Sequence, residues 1–391
     1  MTNLKSKYIL EKWHMHPLLL DHINLNKILY NGQSFRWRWY FHDTAKVDSS
    51  INGFLDKNKT SEFSLIKIHY NTIRLPASDS AHMLKLCQHG QRLYFSTPDS
   101  KIVTQVEDFL IKMLQLNVDR LELYKNISQL DNHLKNLLSP HLESLDFKKL
   151  ECTIMKLPAW ETLLSFICSS NNNILRISSM CHKLCEIGGE KVTEIEVPVY
   201  DGEEFIEYQT IPMYAFPTCQ TLLEKCDENM LKEAKFGYRA RYITQTLQLF
   251  DTLRKTEGFE TLSDSQFMCH YMSPAVREMT YEKAKAWLIQ FSGCGPKVAD
   301  CVLLYSDVAL ENIVKQEEKS EFTEAVRTWN GIIPFDAHIT RIAIRDFPHI
   351  VKKNHKNLDL MRKILMAKFG NFGGWIQVLL FTKEIERSSR S

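Results

Sequence analysis

Lys297 stands directly after a Ser292-Gly293-Cys294-Gly295-Pro296 run and ahead of an apolar stretch that reaches Tyr305. Glycines supply positive φ and let another backbone approach closely. Proline suits the first turn of a helix, where its missing N–H is not needed. The segment KAKAWLIQFSGCGPKVADCVLLY (283–305) is therefore read as helix, hairpin, helix, with Lys297 in the first turn of the second helix. The helix macrodipole disfavours a cation there. The same field is expected to lower the lysine pKa, and a neutral amine is what a Schiff-base nucleophile needs. Cys301 lies four residues on and shares the lysine's face; it reads equally as a packed core thiol. Around Gly293 and Gly295 the N–H groups at the second helix's start face outward and favour an anion such as a phosphate. A helical hairpin with a glycine turn and no ligand is the plainer reading of the same pattern.

A second chemical signal is GIIPFDAHITRIAIRDF (331–347). Its apolar run with Pro334 delivers Asp336 to the cap of a helix beginning near Ala337, with His338 in the first turn and Arg341 on the next. A capping Asp accepts backbone N–H bonds. A capped carboxylate 39 residues after a dipole-exposed lysine suits covalent attack at an electron-poor sugar carbon.

These groups need a scaffold, and the chain is long enough to build one. Its 391 residues are 44% hydrophobic and 25% charged, an ordinary globular composition that excludes disordered, collagenous and coiled-coil classes. No apolar run approaches ~18 residues, so no transmembrane helix or membrane partner is expected, and the N-terminus lacks the pattern of a secretory signal. With 49 basic and 47 acidic residues the net charge is +2, so any basic surface is local. Ten scattered cysteines without a CxxC pair read as reduced thiols, and no metal site is expected.

Residues 1–100 read as mostly β: SFRWRWY (34–40) alternates Phe35, Trp37 and Trp39 against Ser34, Arg36 and Arg38, and 63–75 continues the pattern, with a loop at 42–62 between them. Helical spacing dominates from 102–116 onward, at 128–138, 160–170, 172–186, 218–226, 237–252, 281–291, 297–305, 336–346, 358–369 and 373–384. Two polar stretches, 190–216 and 307–331, read as surface insertions. The expected fold class is α+β by segregation, an antiparallel β domain followed by an all-α region, divided as 1–156 and 157–391.

GxGxK-VADC followed by PxDxH resembles the helix–hairpin–helix-GPD superfamily of DNA base-excision glycosylases. Within it the chain is similar to the eukaryotic 8-oxoguanine DNA glycosylase family, whose N-terminal β domain is TBP-like. Further segments carry the likeness: NGQSFRWRW (31–39), PAWETLLSFICSSNNNILRI (158–177), FGYRARYI (236–243) and GGWIQVLLF (373–381). The resemblance implies Lys297 as the nucleophile at C1′ and Asp336 as the carboxylate that assists it. It implies a base pocket in which Gly32 accepts the N7–H of 8-oxoguanine, Gln377 reads the Watson–Crick edge, and Phe381 and Cys301 sandwich the ring. Asn171 fills the gap in the duplex, Tyr238 is a wedge, Arg176 and Arg239 read the widowed cytosine, and His338 contacts a phosphate.

The activity so implied is a bifunctional N-glycosylase/AP lyase with no cofactor. It excises 8-oxoguanine and formamidopyrimidine-type purines opposite cytosine from double-stranded DNA, then cleaves by β-elimination. A monomer in the nucleus is expected, with mitochondria left open. Physics supports the residue types: a base must leave the duplex to be attacked, forked arginines suit an acceptor edge, and an aromatic ring offers a stacking platform.

Ser292, Pro296, Phe335, Ala337 and Tyr305 depart from the family pattern, and the two insertions are long. An endonuclease III type would carry four clustered cysteines after the catalytic region, yet the last cysteine here is Cys301. An alkyl-purine type lacks the hairpin lysine. A catalytically silent DNA-binding scaffold is the alternative from another class.

Overall fold

The computed structural model describes residues 13–20, 23–43, 65–75, 80–145, 150, 152–201, 204–273, 279–309, 329–351 and 357–388. Most of the expected 42–62 loop and the core of the 307–331 insertion lie outside them. The described residues fall into two compact units that alternate along the chain. One draws on 1–20, 36–109 and 189–217, the other on 21–35, 110–188 and 218–391. The linear division at residue 156 does not follow this packing.

The first unit is built on a five-stranded antiparallel sheet. Its strands are β1 (Trp13–Leu19), β2 (Arg38–Asp43), β3 (Leu65–Arg74), β4 (Ala81–His89) and β5 (Arg92–Ser96), in the order β1-β5-β4-β3-β2. The stretch 190–216 is no loose insertion. It forms a hairpin, β6 (Lys191–Asp201) and β7 (Glu204–Tyr214), and Ile195, Val197 and Met213 join Ile66, Ile68, Tyr70 and Met83 in one core. The acidic look comes from the outer face, where Glu194 and Glu196 alternate with the buried residues as a half-buried strand requires.

The 34–40 alternation also breaks. Residues 34–37 are all buried and precede the ladder. Arg36 tolerates burial because Nη1 donates to Thr72 Oγ1 (3.0 Å) and Nη2 to the Thr72 carbonyl (2.8 Å). Trp37 is core, but Trp39 on the edge strand is 42% exposed, with the Lys67 ammonium 3.8 Å from its ring centroid.

The second unit is helical. It contains α1 (Leu25–Ile28), α2 (Val103–Leu114, entered from the first unit), α3 (Arg120–Leu130), α4 (Asn132–Ser144), α5 (Ala159–Cys168) and α6 (Ile174–Gly188). After the hairpin follow α7 (Cys219–Lys225), α8 (Glu228–Glu233), α9 (Arg239–Thr256), α10 (Asp264–Met272), α11 (Tyr281–Ile289) and α12 (Pro296–Tyr305). The last group is α13 (Ala337–Asp346), α14 (Pro348–Val351), α15 (Leu358–Phe369) and α16 (Gly373–Ser388).

The single helix expected at 128–138 is two, because Asp131 is extended (φ −160°, ψ 147°) and caps the second with its own carboxylate. Helix α10, not expected, starts with a Ser263–Gln266 capping box. Helices α5 and α12 are buried along almost their whole length and pack together as the centre of this unit.

Candidate active site

The site begins at the hairpin between α11 and α12. Gly293 has φ +80°, and a Cβ there would lie 2.7 Å from the Tyr242 ring, so only glycine lets this turn seat against α9. Gly295 caps α12 with no side-chain hydrogen bond and Pro296 follows, so no side chain of the cap covers the first N–H groups. An open groove beside them runs along Gln245, Leu249, Ile289 and Gln290. Behind the hairpin, α12 is anchored through buried Asp300. Its carboxylate accepts from Lys285 Nζ (2.8 and 3.0 Å), the Tyr281 hydroxyl (2.6 Å) and Arg362 Nη1 (3.4 Å), tying α12 to α11 and α15.

Asp336 arrives in extended conformation as the N-cap of α13. One oxygen, Oδ1, accepts both cap bonds, from His338 N–H (3.0 Å) and Ile339 N–H (2.9 Å). Oδ2 takes no part in the cap, so one carboxylate serves two tasks. Helix α16 seats against the strand-like segment leading to Asp336 through Gly373-Gly374. A Cβ on Gly374 would lie 2.6 Å from the Asn330 carbonyl, to which the Gly374 N–H donates at 2.8 Å. That contact fixes Gln377 and Phe381 one and two turns further along.

One cavity gathers Gly32, Lys297, Cys301, Asp336, Gln377 and Phe381 from four separate stretches of chain, with Asn31, Gln33, Phe166, Tyr305, Pro334 and Val378 completing its wall. Gly32 has φ +90°. Its loop is held by Gln33, whose Nε2 donates to the Thr153 carbonyl (2.9 Å) while its Oε1 accepts from Met155 N–H (2.7 Å). Lys297 Nζ is 5.7 Å from the Phe166 ring centroid. Phe166 stacks on Tyr305 (5.6 Å, 12°), and the Tyr305 hydroxyl donates to Gln377 Oε1 (3.2 Å).

The lysine pKa moves opposite to expectation. Cys301 and then Asp336 draw the ammonium electrostatically, and together they outweigh the burial that disfavours it, so Lys297 titrates above its ordinary value. Burial pushes the Cys301 thiol up to about 11. A local dipole argument misses this because it counts the helix's backbone charges and not the neighbouring side chains of Cys301 and Asp336.

Other expected residues form a second cluster. Asn171 is exposed and left-handed (φ +47°) at the end of α5. Tyr238 is half exposed and its hydroxyl donates to the Ser170 carbonyl (2.9 Å). Arg239 is buried, and its Nη2 donates to the carbonyls of Ser170 and Asn171. Arg176 is exposed, with Nη2 on the Lys235 carbonyl (3.3 Å). His338 is exposed, its ring centroid 6.4 Å from that of Phe381 and its Nδ1 2.8 Å from Arg341 Nη2.

Sequence reasoning missed Gln33, Phe166 and Pro334 as parts of the cavity. It noted Tyr305 only as a departure. Gln33 is buried, and both ends of its amide are used on the backbone of Thr153 and Met155, partners 120 and 122 residues away that no local pattern contains.

Residues 17–149 match the family described as 8-oxoguanine DNA glycosylase, N-terminal domain. The N-glycosylase/DNA lyase of Saccharomyces cerevisiae is 29% identical over 94% of this chain and 85% of its own length. The Arabidopsis thaliana N-glycosylase/DNA lyase OGG1 is 27% identical over 96% and 80%. The Clostridium acetobutylicum 8-oxoguanine glycosylase/lyase, solved with double-stranded DNA containing cytosine opposite 8-oxoguanine, shares the fold with TM-score 0.60 at 20% identity, over 97% of this chain and 99% of that one.

Proposed function

We propose that this chain, which is similar along most of its length to the N-glycosylase/DNA lyases of yeast and Arabidopsis, excises 8-oxoguanine from duplex DNA in base-excision repair and then cleaves the strand. The observation that carries this reading is the meeting of Lys297 and Asp336 in one cavity with Gly32, Gln377 and Phe381.

A base inside a duplex is out of reach of any amine, so it must be flipped into the cavity at a few kcal/mol. Asn171 and Tyr238 are suited to fill the gap and wedge the neighbouring stack. Phe381 offers a ring face, and the Gly32 carbonyl offers an acceptor for the N7–H that 8-oxoguanine has and guanine lacks.

Lys297 rests as an ammonium, so the reaction needs it to lose a proton as the lesion docks. The Asp336 carboxylate is the acceptor in the cavity. The free amine then attacks C1′, and the N-glycosidic bond breaks with its electron pair leaving on the base. The departing base takes up the proton that the lysine gave away. The sugar ring opens to a lysine Schiff base, loss of a C2′ proton follows, and the 3′ phosphate leaves by β-elimination. Asp336 also faces the positive charge that develops at the sugar, an electrostatic role of the kind that dominates many active sites. Arg176 and Arg239 favour cytosine opposite the lesion, His338 contacts a phosphate, and the hairpin N–H groups at Gly293 and Gly295 seat another.

The protein acts as a nuclear monomer without a membrane partner and without a cofactor, so excision persists in EDTA. Borohydride trapping on an 8-oxoguanine:cytosine duplex tests the reading. A covalent adduct in the wild type that disappears in Lys297→Gln is the expected result. No adduct and no released base in the wild type would overturn it.

A further inference from the structure

We propose that Tyr305 is a positioning residue that sets which face Gln377 shows to the flipped base, so that the cavity selects a 6-oxopurine over a 6-aminopurine. The proposal rests on the glycosylase reading and names what that site discriminates.

A glutamine amide is ambiguous. Turned one way it offers an acceptor at a given point, turned the other way a donor. In this site the ambiguity is removed by a neighbour 72 residues away in the chain. Tyr305 is 5% exposed and its ring is stacked on Phe166, with centroids 5.6 Å apart and planes at 12°, so its C–O bond has a fixed direction. Its hydroxyl donates to Gln377 Oε1 at 3.2 Å. Burial holds the phenol well above its ordinary pKa, so it remains a donor across the working range. Among the described residues the hydroxyl has no other hydrogen-bond partner, and neither has Gln377 Nε2. Flipping the amide would place NH₂ against the phenol and leave its proton without an acceptor in a buried place, which is the costly way to lose a hydrogen bond.

The orientation has a chemical consequence. The amide faces the cavity with Nε2 as a donor and with the second lone pair of Oε1 still available. A 6-oxopurine presents the matching pair, an O6 acceptor beside an N1–H donor. A 6-aminopurine presents a donor at N6 and an acceptor at N1, so it meets like against like unless the amide flips, which reverses the Tyr305 bond and leaves the buried phenol proton without an acceptor. Departure from the family pattern at position 305 therefore adds a lock on the edge-reading residue.

Tyr305→Phe keeps the ring and its stack on Phe166 and removes only the hydroxyl. Single-turnover excision is measured on 8-oxoguanine and on 8-oxoadenine, each opposite cytosine, beside thermal melting and duplex binding. The 8-oxoguanine rate should fall roughly 3- to 10-fold, the worth of one neutral hydrogen bond. The 8-oxoadenine rate should hold or rise, narrowing the ratio by at least that factor, with melting unchanged. In a Gln377→Ala background the same change should leave the ratio where it is. An 8-oxoguanine rate within twofold of the parent overturns the proposal, and so does an equal fall on both bases, the mark of a purely structural role. A wild-type enzyme inactive on 8-oxoguanine overturns the glycosylase reading and this proposal with it. Wild-type excision beside an unmoved ratio overturns the proposal alone.

Discussion

The cavity around Lys297 and the cluster around Asn171 solve opposite problems with similar residues. In the cavity the functional groups are oriented by their scaffold: Asp300 anchors α12 from behind, the α13 cap holds Asp336, and Gln33 in the wall holds the Gly32 loop. The Asp336 oxygen that takes no part in the cap is left available to the cavity. In the cluster the groups expected to meet DNA are committed to their own backbone. Tyr238 and Arg239 both donate to the Ser170 carbonyl and Arg176 to that of Lys235. The chemistry is preorganised, whereas reading the opposite strand requires exchanging internal hydrogen bonds for external ones. On the proposed reading, the 169–173 turn and the start of α6 couple duplex engagement to a local rearrangement, and base reading need not.

The sharpest break between the two regions comes from Lys297→Gln. It should abolish both base release and the borohydride adduct while duplex binding persists, because the cluster is untouched. Residual adduct would show another amine to be the nucleophile.

Asp336→Asn comes next. Asn caps a helix about as well as Asp, so melting should hold, while single-turnover excision should slow ~10²- to 10⁴-fold, the range for proton-transfer and electrostatic groups. Loss of rate in step with loss of melting temperature would reduce Asp336 to a cap.

Arginine replacements in the cluster should cost less and separate its members. Arg176→Ala and Arg239→Ala should each weaken the preference for cytosine over adenine opposite the lesion by about 1–3 kcal/mol. Only Arg239→Ala should also lower the melting temperature, since Arg239 is buried and holds two carbonyls. Equal melting of the two variants would remove the distinction drawn here.

The smallest effect concerns the buried end of α12. Buried Lys156 donates to the Leu304 carbonyl (2.6 Å) at the end of α12, and burial brings its pKa down to about 7. The unfolded chain binds that proton up to about pH 10.4. Stability from this group therefore rises with pH between those values and is lost as pH falls toward 7. The melting difference between Lys156→Met and wild type should be most favourable to the variant near pH 7 and shrink toward pH 10. A difference that does not change with pH would refute the assignment.

What was legible in the sequence was local. Turn glycines, a proline at a first helical turn and a capping aspartate are signals written within a few residues, and they placed the hairpin, Lys297 and Asp336. What was not legible depends on partners far along the chain. Arg36 is buried because Thr72 receives it, a pairing no alternation pattern contains. The acidic stretch 190–216 hid a hairpin because the charged faces outnumber the buried ones. The direction of the Lys297 shift was wrong because a dipole argument counts backbone charges and not the side chains of Cys301 and Asp336. Tyr305 looked like a mere departure because its meaning lies in Gln377.

The interleaving of the two units has a consequence for a chain made from one end. The sheet is complete as a set of strands at Ser96, but the hairpin that covers the face bearing Ile66, Ile68 and Tyr70 begins some 95 residues later, at Lys191. At about 5–20 residues per second, the nascent sheet waits roughly 5 to 20 seconds for it on the ribosome. During that interval the apolar face has no hairpin of its own to cover it, which makes it a natural hold-point for chaperones. Fragments ending before β7 should expose the same face and aggregate where the full chain does not.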